Sequence, residues 1–114
     1  MAVFSPPESL NGVKTMSSVE IVEVINALRT TGKPTLRHDN FMARIEGHPG
    51  IDGLRYKGVY LGANGEQRQC YYLPKREAEL MVMSESLEVQ TKVYDRRPLL
   101  PPLLYNLSYI NIRV

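Results

Sequence analysis

The chain has no tryptophan, one cysteine, two histidines and a net charge of only +2 over 114 residues. Each shortage excludes something. Cys70 alone cannot form an intrachain disulfide, so no oxidised scaffold is expected. His38, His48 and Cys70 are the only soft metal ligands; they lie far apart and match no zinc spacing, so no metal site is expected. The small net charge argues against a chain that is basic throughout. No apolar run approaches the ~18 residues of a membrane helix. The N-terminus lacks the basic start and apolar stretch of a signal peptide, so the expectation is a cytoplasmic protein with no membrane contact. Catalytic signatures are missing too: no nucleophile elbow, no phosphate-cradling glycine loop, no HExxH, and carboxylates spread singly. Neither enzymatic activity nor a cofactor is expected.

What is present suits one small core. Hydrophobic residues make up 43%, too many for a disordered chain of this length. The charge is unevenly placed. Residues 29–76 hold nine Lys/Arg against four acids, a local +5 balanced by acidic flanks. That is a weak footprint of a nucleic-acid surface, and chance unevenness on a solvated surface would look the same.

Residues 1–14 contain two prolines and a glycine and read as a flexible arm, with a short strand at its start as an option. Ser17 with Glu20 three residues on fits a capping box, and Ile21, Val22, Ile25 and Leu28 recur at helical spacing behind it. Gly32 suits the exit of that helix. Gly32-Lys33-Pro34-Thr35 then makes a tight connector, and Pro34 or Thr35 suits the start of a second helix running to Glu46. Phe41, Met42 and Ile45 share one side of it with His38, whereas Arg37, Asn40 and Arg44 cluster on the other. Two helices joined by a short glycine-containing turn form a helix-turn-helix pattern, which unrelated proteins also use.

Residues 49–58 read as loop. Asn64-Gly65 between Val59–Leu61 and Gln67–Leu73 is a hairpin signal, with Lys57 and Arg68 along the hairpin. Alternation along the second strand predicts one of Tyr71 and Tyr72 in the core and the other exposed. Pro74 suits a helix start, and Leu80, Met83 and Leu87 recur along the helix that follows, which Ser84-Glu85-Ser86 interrupts. The tail 98–114 opens with Pro and Leu. Leu99, Leu100, Leu103, Leu104 and Tyr105 are too apolar for water, so the tail either returns to the core, in part as a strand, or packs on a second chain. The division that results is a 1–14 arm, a 15–97 α+β winged helix-turn-helix-like domain and a 98–114 tail.

Several strings resemble the N-terminal domain of phage Rha-type regulatory proteins, a family related to phage antirepressor domains. They are Ser17-Ser18-Val19-Glu20-Ile21; Gly32-Lys33 leading to Arg37-His38-Asp39-Asn40-Phe41-Met42-Ala43-Arg44-Ile45; Asn64-Gly65-Glu66; Cys70-Tyr71-Tyr72-Leu73-Pro74-Lys75; and Val89-Gln90-Thr91-Lys92-Val93-Tyr94-Asp95. The resemblance spans about residues 15–97. It implies a DNA-binding regulator of temperate phages or prophages, with Arg37, Asn40 and Arg44 on the segment presented to DNA. Related chains tend to continue their helix past the position of Asp95 and Arg96; here Pro98 stops it, which puts an effector domain in doubt.

Arg can grip guanine, and Asn can pair with adenine, through two hydrogen bonds each, and either Arg could instead hold phosphate. Lys33, Lys57 and Arg68 are candidates for backbone contacts from turn and wing. The expected function is therefore a phage-type transcriptional regulator that binds double-stranded DNA, as a homodimer because one module makes few contacts. The alternative is an antirepressor that inactivates a repressor protein by direct contact. Tyr, Met and the tail leucines would be its surface.

Overall fold

The computed structural model describes residues 2–29, 34–85 and 91–92. Lys33 and the tail residues Leu99, Leu100, Leu103, Leu104 and Tyr105 lie outside them. Along the described chain come β1 (Val3–Phe4), a 3-10 turn (Glu8–Leu10), β2 (Thr15–Ser17) and α1 (Ser18–Leu28). There follow α2 (His38–Gly47), α3 (Gly53–Tyr56), β3 (Lys57–Leu61), β4 (Gln67–Pro74) and α4 (Lys75–Met83). Among the described residues this is a small mixed α+β domain of four helices and one antiparallel sheet, in strand order β1-β3-β4-β2.

The hairpin β3–β4 is the centre of the sheet, closed as Asn64-Gly65 suggests. Gly65 takes a φ of +81°, which glycine adopts without strain. The Gly62 amide donates to Glu66 O and the Gly65 amide to Gly62 O. Residues 2–14, read as an arm, carry a strand and a buried anchor. Val3 and Phe4 pair with Leu61 and Tyr60, and Leu10 is buried in the core. Where the β1–β3 ladder would continue, a tyrosine replaces it. The Tyr72 hydroxyl donates to Val59 O at 2.7 Å and accepts from the Ser5 amide at 2.9 Å. To get there its ring crosses Gly58, where a Cβ would stand 2.8 Å from a ring carbon, so only glycine fits.

The capping box of α1 is present in full. Ser17 Oγ accepts the Glu20 amide and Glu20 accepts the Ser17 amide. The periodic residues Ile21, Val22, Ile25 and Leu28 are all buried. Helix α2 departs from expectation at its start. It begins at His38, not at Pro34 or Thr35, so the connection from α1 is longer than a tight helix-turn-helix turn. The cause is Asn26 on α1. Its side-chain amide donates to Leu36 O at 2.9 Å and its carbonyl accepts the Leu36 amide at 2.8 Å. Those bonds occupy Leu36 as a neighbouring strand would, and Leu36 itself is buried.

Two further expectations are corrected. The stretch 49–58 is not all loop, for it holds α3 and the first residues of β3. Tyr71 and Tyr72 are both buried, at 3% and 1% exposure, because α1, α3 and α4 all pack on β4 and leave neither face of its second half open. On α4 the buried face is Glu77, Ala78, Met81 and Val82, and Met83 faces outward. No helix among the described residues is long and apolar enough to cross a membrane.

Candidate nucleic-acid interface

Helix α2 presents two faces. Phe41 and Ile45 are fully buried, His38 and Met42 are half-buried, and Asp39, Asn40, Ala43 and Arg44 face solvent. The separation of Arg37, Asn40 and Arg44 from the core therefore stands. The three differ in what they are free to do. Arg37 is the N-cap residue of α2, its side chain 74% exposed and paired, among the described residues, with Asp39 at 3.1 Å, itself 59% exposed. Asn40 is exposed one turn along. Arg44 is tied down: its Nη1 lies 2.9 Å from Oε2 of Glu85, whose side chain is 2% exposed. Arg29 holds the other oxygen of Glu85 at 3.2 Å. One buried carboxylate thus ties the end of α1, the middle of α2 and the residues after α4. A buried carboxylate needs such cations more than a surface cation needs the carboxylate, so Arg44 serves the fold.

The start of α2 meets the hairpin. The His38 ring stands edge-on to the Tyr60 ring with centroids 6.4 Å apart, and Phe4 stacks on Tyr60 from β1 at 5.2 Å. Tyr60 lies directly opposite Arg68 in the β3–β4 register, so the two side chains leave the same sheet face. The start of α2 therefore meets the sheet face that bears Arg68 through His38, while Arg37 and Asn40 leave α2 on its solvent side. Arg68 is 60% exposed, with Glu66 at 2.9 Å. Lys57 is not brought there. It pairs in register with Tyr71, an odd number of residues from Tyr60, and so leaves the opposite face.

His38 is fixed by a buried network. Ser18 Oγ accepts the Tyr71 amide at 3.0 Å and lies 2.7 Å from His38 Nε2. A hydroxyl has one proton to give. Donating it to Nε2 satisfies all three groups and requires the neutral ring. Burial pushes the His38 pKa down, against a smaller upward pull from Asp39. A serine beside a histidine resembles a hydrolytic pair, but Ser18 is fully buried. Cys70 is equally buried, and burial pushes its thiol pKa up, away from the reactive thiolate. Sequence reasoning missed the roles of Tyr60 and Glu85. The Tyr60 contact followed from the hairpin register once α2 was placed; no sequence signal points to Glu85, 41 residues from Arg44.

Comparison with protein-family models, with curated proteins and with solved structures gave no match. Fold and site together define a small mixed α+β domain in which the start of α2 meets the β3–β4 hairpin through His38 and Tyr60.

Proposed function

We propose that this domain is a phage-type transcriptional regulator that binds double-stranded DNA through the first turn of α2, with the hairpin β3–β4 as a wing. The observation that supports the reading is the contact of His38 with Tyr60, which brings the first turn of α2 up to the hairpin that carries Arg68. The N-cap residue of α2 makes no side-chain cap bond, and although the Asn40 amide donates to Asp39 Oδ1 at 3.0 Å, the amides of His38 and Asp39 are left for a phosphate. Arg37 is paired with exposed Asp39, which phosphate can displace at little cost, whereas Arg68 would have to release Oε1 of half-buried Glu66, held through Nε and Nη2. Asn40, one turn in, would be the residue that reads a base edge. Arg44 would remain with Glu85, and Lys57 would take no part. The class of regulator comes from the resemblance in sequence.

The second reading, an antirepressor that binds a repressor protein, has one observation in its favour. Val3, Val59 and Leu61 share the sheet face opposite Arg68 and are 51%, 45% and 38% exposed. Salt separates the two readings. Fluorescence anisotropy on random duplex DNA over a salt series should show affinity falling steeply, with a log–log slope of about −0.9 per phosphate neutralised. Absence of binding at low salt would reject the DNA reading and direct the search to repressor partners.

A further inference from the structure

The face of the sheet opposite Arg68 carries a cleft of about 410 Å³ between the end of α2, α3 and the hairpin, within the size range of ligand sites. Glu46, Asp52, Lys57 and Tyr71 supply its polar wall, and Ile51 and Leu54 its apolar one. Three of its residues are charged, and these, like Lys14 and Arg55, make no ion pair among the described residues. Arg29, Arg37, Arg44, Arg68, Lys75 and Arg76 each hold a carboxylate within 4.0 Å. Among the described residues, Glu46, Asp52 and Lys57 hold no partner of opposite charge. Glu46 has only the Tyr71 hydroxyl, which donates to Oε2 at 2.5 Å. That hydroxyl remains a donor at neutral pH, since burial and the nearby carboxylate push its pKa up to about 12. Glu46 is thus oriented, with Oε1 unused. Leu54 stands at the lip of the cleft, 83% exposed, on a four-residue helix that packs no other face of it away.

We propose that this cleft receives one arginine or lysine side chain of a partner protein, with an apolar neighbour of that residue packed on Leu54. Glu46 and Asp52 accept the cation. Lys57, on the strand side, repels a second one, so the cleft admits a single basic residue and not a basic run. Glu46, Asp52, Leu54 and Lys57 are all exposed, so the wall is open enough for a side chain presented on a protein surface. A free small cation would stay hydrated there and gain nothing from Leu54. The inference goes beyond both functional readings, neither of which assigns this cleft a role.

The test is a titration of the full chain, ¹⁵N-labelled, with acetyl-Leu-Arg-Leu-amide and with its Gln counterpart, followed by amide shifts. Saturable shifts are expected at Gly53, Leu54, Lys57 and Tyr71 with the Arg peptide. The Gln peptide, and Asp52→Asn or Leu54→Ala protein whose other amides keep their positions, should each bind about fivefold more weakly or worse. Equal response to both peptides, no saturable response, or shifts centred elsewhere would overturn the proposal. So would free arginine binding as well as the peptide, which would make the cleft a small-molecule site.

Discussion

At the scale of single residues, identity and environment together decide role. Arg37 and Arg44 are alike in type and helix face, yet one is open to solvent and the other is drawn to a buried carboxylate. His38 is the most informative residue. Its ring must be neutral to accept from Ser18, and burial lowers its pKa from 6.5. Linkage then has a definite sign. As pH falls through 6.5, the unfolded chain takes up the proton before the folded chain does, so stability declines; the decline ends once the folded pKa is passed. We predict that the urea midpoint of the wild type falls more between about pH 7.5 and about pH 5.5 than that of His38→Gln, which keeps a hydrogen-bonding group but cannot titrate. Parallel pH profiles would mean that His38 titrates without cost to the fold.

At the scale of elements, what was legible in the sequence is what is local. The Ser17/Glu20 capping box and the Gly65 turn are settled by contacts three or four residues apart, and both formed where the residue types put them. The apolar stripe of α2 also emerged with the faces its spacing requires. The start of α2 did not, because the bonds that hold Leu36 extended come from Asn26, ten residues back on another helix. Pro34 and Thr35 are good helix starters overruled by a tertiary contact. The dual burial of Tyr71 and Tyr72 was hidden for the same reason, since period-2 alternation assumes one open face and β4 has none in its second half. Asn26→Ala tests the connector. Removing the side chain strands the Leu36 amide and carbonyl, and we predict a loss of about 1–3 kcal/mol in urea unfolding. Loss confined to a few tenths would show that water replaces the asparagine freely.

At the scale of the whole molecule, α2 is the link between two faces. Its first residue, His38, meets Tyr60 on the face of Arg68, and its Glu46 meets Tyr71 on the face of Lys57. Half of the candidate site was therefore visible in the sequence. Arg37, Asn40 and Arg68 could be named from residue type and pattern, but which cations share a side depends on strand register, and the tie of Arg44 to Glu85 depends on the packing of α1, α2 and the end of α4. The basic middle segment, +5 as written in sequence, is folded into ion pairs and divided between two sheet faces. A footprint drawn from composition overstates the cationic surface that results.

The most direct measurement compares Arg37→Ala/Arg68→Ala with Lys57→Ala for affinity to random duplex DNA over a salt series that starts from low salt. All three residues are exposed, so the fold should be retained in each variant. If DNA lies across the first turn of α2 and the hairpin face of Tyr60, the double variant loses about tenfold or more and a salt slope smaller by about 2, while Lys57→Ala binds as the wild type does. Equal losses in the two proteins would contradict a one-sided interface, and a loss only in Lys57→Ala would place the nucleic acid on the other face.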